Sequence, residues 1–325
     1  MVTNRQKHID EVSGLLILVV IIMHCFHNAD LIHTKAYSIT YPFYFSMPWF
    51  FFKSGMYYHH RENKLALRNG FFQLIVPFLV FSSIGVIIHT LRTLIQGCAD
   101  WGEYLYLQIH QFLWDVSFKG NDPLWFLFVL FMVKLLFNGL EKFNVLWISL
   151  ICFLVFNALY YLHLDCPYFL ASIPAGFIFY TLGYTFKYRQ YNKIVASLSA
   201  IVYILCALLG WVIVDMHWNI CNIGNYILWV PTSLAGIVLF NYLFKLFPFT
   251  IGLLEWIGKH AIILYVTHWL IIETALLVTK DILSISNLKL IFAILITAEI
   301  VSLPIITTIL SRKRLSWVIG AKSLP

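Results

Sequence analysis

Two histidines lie deep inside apolar stretches of the chain, where ionisable side chains are costly and are functional candidates. His24 follows the run GLLILVVIIM, and His268 lies within AIILYVTHWLIIE. A neutral imidazole can accept a proton near neutral pH, so either residue could act as a general base. Each lies about 12 residues past the predicted cytoplasmic start of its helix, or ~18 Å deep. We therefore expect both at similar depth in one polar cavity; the alternative is that each only bonds a neighbouring helix.

Other polar residues near these histidines could assist such chemistry. His27 lies one helical turn beyond His24 and roughly on the same face. Asp10 lies at the predicted cytoplasmic end of the first apolar run, where it is a candidate to hold a partner. Glu273 lies beyond His268 toward the predicted outer face. An interfacial position is the favoured interpretation of Glu273, and orientation of a base is the alternative.

Basic residues gather at the end of the second apolar run. Lys53 lies inside that run beside Ser54–Gly55, a small pair that permits close helix contact. Arg61 and Arg68 follow in a connection that also holds His59, His60 and Lys64. Arg and Lys are natural partners of phosphate, so this connection could seat an anionic cytosolic ligand. The excess of bases that marks cytoplasmic loops explains the same pattern.

Trp125 begins the fourth apolar run near its predicted outer end. Tryptophan is enriched at membrane interfaces, which is one interpretation of this position. A flat aromatic ring can also stack on a sugar face, so Trp125 is a candidate substrate contact.

The composition requires a membrane for these residues. Of 325 residues, 61% are hydrophobic and only 11% are charged, too few to cover a soluble surface. A soluble multidomain enzyme, a disordered chain and a coiled coil are therefore excluded. The net charge of +7 does not indicate nucleic-acid binding, because the bases do not cluster in one soluble domain.

Ten apolar runs are candidates for transmembrane helices of about 17–25 residues each. Lys and Arg concentrate in one set of connections and Asp in the alternate set, which predicts both termini in the cytoplasm. We therefore expect an all-α polytopic protein with a single transmembrane domain over residues 1–325. Cys98, Cys166 and Cys221 fall on the predicted outer side, where two of them could pair; unpaired thiols are the favoured interpretation. The runs are 12–32, 40–58, 71–92, 123–140, 144–163, 169–187, 194–214, 225–247, 256–278 and 288–311.

The ordered set of motifs resembles the acyltransferase-3 family of integral-membrane O-acyltransferases over nearly the whole chain. That family opens with Asp, a basic residue and Gly before an apolar run that ends in His, and it continues with four further motifs. These are a Phe-rich Ser-Gly, a basic stretch before Leu-x-x-Pro, Leu-Trp-Phe-Leu, and Gly-Lys-Asn-Ser followed by Tyr-x-x-His. The matching residues are Asp10, Gly14, His24, Phe50, Phe51, Phe52, Ser54, Gly55, Arg68, Leu74, Pro77, Leu124, Trp125, Phe126, Leu127, Gly258, Lys259, Tyr265 and His268.

Four positions depart from the family pattern. Ser13 stands where the family has a basic residue eleven positions before the first-helix histidine. Gln73 replaces a second basic residue, and His260 and Ala261 replace the usual Asn and Ser. Either Lys53 or another base supplies the missing charge at Ser13, or activity is altered or lost.

The resemblance implies transfer of an acyl group, most often acetyl, from cytosolic acetyl-CoA to a carbohydrate hydroxyl of a cell-surface or lipid-linked glycan. It implies catalytic roles for His24, Asp10 and His268, with His24 as general base or transient acyl carrier. Donor binding falls to Lys53, Arg61 and Arg68, and substrate binding to Trp125 and His27.

We expect no metal and no nucleic-acid partner, and a multi-pass location in the inner membrane of a bacterial cell, within the lipid bilayer. The oligomeric state stays open. The alternatives are a transporter or flippase for a lipid-linked glycan or small anion, and a catalytically inactive scaffold.

Overall fold

The computed structural model describes residues 6–97, 100–162, 166–187, 192–212, 226–246 and 252–320. This part of the chain is all-α and contains no strand. Pro77 lies in the first turn of the helix Val76–Ile95, and the side-chain oxygens of Asn192 and Asn287 cap the helices that begin at Lys193 and Leu288. The helices are α1 (Lys7–Asn28), α2 (Ser46–Met56), α3 (Asn63–Gly70), α4 (Val76–Ile95), α5 (Trp101–Asp115), α6 (Trp125–Leu140), α7 (Val145–Tyr161), α8 (Tyr168–Phe186), α9 (Lys193–Leu208), α10 (Tyr226–Leu246), α11 (Gly252–Lys259), α12 (Ala261–Leu276) and α13 (Leu288–Leu310).

Seven helical segments of the described residues are long and apolar enough to cross a membrane. The apolar stretches of α7 and α9 are shorter, and α2 has only 11 residues. Part of the predicted run 40–58 instead forms a 3₁₀ segment, Lys35–Phe43. The seven segments are Lys7–Asn28, Asn63–Ile95, Asp122–Leu140, Tyr168–Phe186, Ile227–Leu246, Ala261–Ile282 and Leu288–Leu310.

Three predicted boundaries need correction. The third run was expected to begin at residue 71, but its helix begins at Asn63 and continues through a π-helical segment, Phe71–Ile75. The ninth run, 256–278, is interrupted at His260, where α11 ends and α12 begins. The predicted connection 93–122 contains α5. Hydropathy averaged over a window detects neither a one-residue break nor a polar first turn, which accounts for the first two differences.

The chain divides into two compact units that interleave along the sequence. Unit 1 comprises Met1–Val20, Ser38–His60 and Gly139–Ala261. Unit 2 comprises Ile21–Tyr37, Arg61–Asn138 and Ile262–Pro325. Helix α1 contributes its first 14 residues to unit 1 and its last eight to unit 2, so Asp10 and His24 belong to different units.

In unit 1 the short helix α2 packs along α8 with their backbones in close contact. A Cβ atom added at Gly55 would overlap the backbone of Tyr180, and one at Gly183 would overlap the backbone of Phe52. Both positions therefore need glycine. This contact explains the small residue in the Phe-rich Ser-Gly motif and fixes the helix that carries Lys53.

In unit 2 the segment before α6 is tied to α12. The Tyr265 hydroxyl donates to the carbonyl oxygen of Pro123. The amide Nδ2 of Asn121 donates to the carbonyl oxygens of Val266 at 3.2 Å and Phe81 at 3.3 Å. These bonds join α4, α6 and α12 beside His268.

Candidate active site

The rings of His24 and His268 stack in unit 2. Their centroids are 5.2 Å apart and their planes differ by 28°. Trp269 meets the His24 ring edge-on at 5.0 Å. His24 is half-buried, whereas His268 is 0% exposed. The two histidines therefore share one depth, as the residue count predicted, and His24 forms the more accessible side of the pair.

Backbone carbonyls fix the chemical form of His268. Its Nδ1 lies 2.8 Å from the carbonyl oxygen of Tyr265 and 3.2 Å from that of Leu264. A carbonyl oxygen can only accept, so Nδ1 carries the proton and the lone pair of the neutral ring lies on Nε2. Nε2 is buried and has no hydrogen-bond partner among the described residues. An unsatisfied buried acceptor is costly, and such groups mark sites that await a proton or a ligand.

The two predicted substrate contacts have different exposures. His27 lies in the last turn of α1 and is exposed. Trp125 is buried in the first turn of α6, next to the Pro123 carbonyl that accepts from Tyr265. The structure does not test either role.

A charged network lies further along α12, on the C-terminal side of His268. Arg92 of α4 contacts Glu273 through Nη1 at 2.5 Å and Asp281 through Nε at 2.7 Å. His89 Nδ1 lies 3.9 Å from the same Glu273 carboxylate. Glu273 is only 6% exposed, so its carboxylate lies inside the protein, and the interfacial position stays a prediction. A buried carboxylate needs a partner, and Arg92 supplies it.

Polar groups with unused hydrogen-bonding capacity surround this network. Gln111 donates from Nε2 to Ser117 at 3.0 Å and to Asp122 at 3.1 Å, while its buried Oε1 has no partner among the described residues. The His89 ring stacks on Tyr104 with centroids 6.0 Å apart. Amide and carboxylate acceptors beside aromatic rings are suited to hydroxyl-bearing ligands. We call His89, Gln111, Asp122 and Glu273 the outer polar cluster.

In unit 1, Asp10 and Lys53 form an ion pair. Lys53 Nζ lies 3.6 Å from Asp10 Oδ1 and donates to Ser13 Oγ at 2.5 Å. It also lies 5.4 Å from the ring centroid of Trp49, within cation–π range. A Cβ atom at Gly258 would overlap the Asp10 backbone, so α11 closes against the first turns of α1. Lys53 is thus held among an anion, a hydroxyl and an aromatic face.

Several side chains of the basic connection after α2 make contacts within the protein. In unit 1, His60 contacts Glu141, and the Tyr58 hydroxyl donates to the same carboxylate at 2.5 Å. Lys187 Nζ donates to the carbonyl oxygen of Tyr58 at 2.7 Å. These groups hold unit 1 together, which leaves fewer bases for a ligand than the sequence suggested.

Arg61 and Arg68 belong to unit 2. Arg61 is half-buried, and Arg68 is exposed on α3. The backbone of Arg61 is held by the Asn138 side chain, which accepts from its N–H at 3.2 Å and donates to its carbonyl at 2.9 Å. One turn before Asn138 on α6 lies Lys134, a half-buried cation that the sequence analysis missed. The signal was a single Lys inside WFLFVLFMVKLLFNGL, which window-averaged hydropathy conceals.

A family profile described as "Acyltransferase domain" matches residues 9–309, nearly the whole chain. The chain belongs to the acyltransferase-3 family. The predicted resemblance is therefore confirmed, and with it the multi-pass, all-α character of a membrane acyltransferase. No curated protein and no solved structure matches the chain.

The acyltransferase-3 pattern clarifies the departure at Ser13. The family has a basic residue at this position of the first helix. Here the ammonium group of Lys53, from α2, lies 2.5 Å from Ser13 Oγ. The positive charge is therefore present beside Ser13 although the residue itself has changed, which favours replacement of the charge over its loss.

Proposed function

We propose that the chain is an O-acyltransferase that moves an acetyl group from acetyl-CoA to a hydroxyl of a cell-surface or lipid-linked carbohydrate. The observation that carries this proposal is the stacked pair His24–His268, in which one ring nitrogen is buried and has no partner within the described part of the chain. We further propose ten transmembrane helices with both termini in the cytoplasm, in one domain over residues 1–325, in the inner membrane of a bacterial cell.

His24 is the proposed general base because it is the accessible ring of the pair. It accepts the proton of the acceptor hydroxyl while the hydroxyl oxygen attacks the thioester carbonyl. The carbon–sulfur bond then breaks, and the coenzyme A thiolate leaves and receives the proton. His268 is a positioning residue, since its ring supports His24 by stacking and its own orientation is fixed by backbone carbonyls.

The outer polar cluster is the proposed seat of the acceptor. Glu273 lies five residues beyond His268 on α12, or about 7.5 Å along the axis. Sugar hydroxyls are donors, and Gln111 Oε1 is an acceptor without a partner among the described residues. His27, exposed at the end of α1, and Trp125 complete the proposed set of substrate contacts.

The basic residues at the predicted cytoplasmic side are the proposed seat of acetyl-CoA. Arg61 and Arg68 offer guanidinium forks, which suit phosphate oxygens. Asp10 pairs with Lys53 and offsets part of its charge. We therefore propose two roles for the Asp10–Lys53 pair: it fixes the start of α1, and it contributes to the donor side. We assign no metal to this chemistry.

The test is transfer of label from acetyl-CoA carrying a labelled acetyl group to membrane glycans by the purified protein in nanodiscs. We expect His24→Ala to reduce transfer about 10²- to 10⁴-fold, the usual contribution of a general base. His33→Ala is the matched control, because His33 is exposed and lies outside the pair. Unchanged transfer by a folded His24→Ala protein would remove His24 from the mechanism.

A carrier for a lipid-linked glycan or small anion is the second candidate, and one observation favours it. Glu299 of α13 is 3% exposed, and neither carboxyl oxygen has a hydrogen-bond partner among the described residues. Buried carboxyls in membrane spans often relay protons. With the protein in sealed proteoliposomes and labelled acetyl-CoA on one side, counterflow of acetyl-CoA across the membrane without transfer to glycan would support the carrier. Neither transfer nor counterflow would support an inactive scaffold.

A further inference from the structure

Lys134 is a cation inside the apolar helix α6. It lies nine residues beyond Trp125, the first residue of α6, or about 14 Å along the helix, and it is half-buried. No carboxylate lies within ion-pair distance of it in the described ranges of the chain. A charged residue in a membrane span without an anion carries an uncompensated cost. A ligand that brings negative charge would remove that cost.

Asn138 brings a second cation to the same face of α6. Residues four apart on a helix are neighbours, so Asn138 lies one turn from Lys134. Asn138 binds the N–H and carbonyl of Arg61 and also donates to Asn63 Oδ1 at 2.9 Å. This clamp fixes the backbone of Arg61 beside α6, one helical turn from Lys134.

Among the described residues, no acid neutralises the charges of Arg61 and Lys134. Within the described residues, the Arg61 guanidinium forms no ion pair. Glu62, its neighbour in sequence, is exposed and does not contact it through a salt bridge. Lys64 and Arg68 on the adjoining α3 add further positive charge. Two like charges held close together without an acid repel each other, so an anion between them would stabilise this end of unit 2.

We propose that Arg61 and Lys134 together form a binding site for a phosphate or pyrophosphate group. The guanidinium presents a planar fork to two phosphate oxygens, and the ammonium adds a point charge. The pyrophosphate of a coenzyme A thioester and the phosphate of an anionic phospholipid share this chemistry. The choice of coenzyme A rests on the proposed function, whereas the anion site itself does not.

The test measures the affinity of the purified protein in nanodiscs for coenzyme A, with inorganic pyrophosphate as competitor. We expect Lys134→Gln to weaken coenzyme A binding on the order of 10-fold or more, as for loss of a charge-assisted contact. Lys134→Arg keeps the charge and should retain binding. Lys289→Gln is the matched control, since it removes an exposed cation from α13, outside the basic connection, and should change the affinity less than about 2-fold.

The second arm uses nanodiscs with and without phosphatidylglycerol and detects retained lipid by native mass spectrometry. Retention of lipid that Lys134→Gln alone abolishes, with coenzyme A affinity unchanged, supports the anion site and overturns the nucleotide as its ligand. A folded Lys134→Gln protein that keeps both ligands overturns the site. Loss of coenzyme A binding in this variant, combined with no acetyl transfer by the unaltered protein, would keep the site and reject the proposed function.

Discussion

Lys53 and Lys134 both lie in apolar helices, yet their surroundings differ in one decisive respect. Lys53 has a carboxylate at 3.6 Å, a hydroxyl at 2.5 Å and the Trp49 ring beneath it. Lys134 has Arg61 as its charged neighbour and, among the described residues, no carboxylate at ion-pair distance. The charge of Lys53 is balanced by a partner within the protein, and we call this a closed site. The charge of Lys134 is not balanced among the described residues, and we call this an open site.

The difference distinguishes a charge that is paired within the folded protein from a charge that is available to bind a ligand. A buried ion pair roughly balances its desolvation cost, and breaking it by removing one partner is expensive. An uncompensated cation lowers stability in the free protein and recovers the loss only when an anion binds. Ser13 stands at the motif position where the family has a basic residue. It lies in the closed site, because Lys53 donates to its hydroxyl.

The largest effect should come from opening the closed site. Asp10→Asn keeps the shape of the side chain and deprives Lys53 of its carboxylate. Because Asp10 is 4% exposed and Lys53 is 22% exposed, we expect the low end of the buried-pair range, a loss of about 3 kcal/mol. Denaturant unfolding in detergent micelles, followed by tryptophan fluorescence, measures this change in the free energy of unfolding.

The double variant Asp10→Asn with Lys53→Met is the control for that prediction. Removing both charges should recover most of the lost stability, since a paired charge is replaced by an apolar contact. If Asp10→Asn alone costs less than about 1 kcal/mol, as an exposed pair would, the site is not closed in the sense argued above.

The same stability measurement at Lys134, the open site, should give a change in the free energy of unfolding of the opposite sign. Lys134→Met removes an uncompensated charge from α6, so we expect a gain of ~1 kcal/mol in the absence of ligand. High concentrations of coenzyme A should then stabilise the unaltered protein by about 1.4 kcal/mol more than the Met variant, because ligand stabilisation falls by that amount for a 10-fold weaker affinity. A variant less stable than the parent without ligand would show that Lys134 has a structural partner after all.

The sequence predicted the depth of His24 and His268 better than it predicted which side chains contact each other between helices. Counting residues along two apolar runs anticipated that His24 and His268 would meet, since helical rise converts sequence position into depth. The same counting could not pair Arg92 with Glu273, which lie 181 positions apart. Such a contact depends on which helices are neighbours, and hydropathy carries no information on that.

Single charges inside apolar runs were the residues most easily missed. Lys134 and Arg92 do not lower the mean hydropathy of their helices enough to interrupt the predicted spans. Lys53 was noticed because it stands next to a Ser-Gly pair and a basic connection. The length of α2 was also unpredictable, because the apolar residues before Ser46 form a 3₁₀ segment instead of a longer helix.

The smallest effect is expected at a third lysine, which is paired but exposed. Lys259 contacts Glu255 one turn earlier on α11. The hydrogen bond from Lys259 lowers the pKa of Glu255 below its usual value. A carboxyl with a lowered folded-state pKa adds stability above its unfolded pKa, and that stability is lost as the pH falls through the folded-state value.

Lys259→Gln should therefore lower the melting temperature at pH 7 by no more than about 1 °C, since water and salt screen an exposed pair. The difference between variant and parent should vanish at a pH below the folded-state pKa of Glu255, and also in high salt at pH 7. Melting curves in one detergent at both pH values measure it. A loss as large as that of Asp10→Asn would mean that burial does not distinguish these pairs, and the contrast between closed and open lysines would then need another cause.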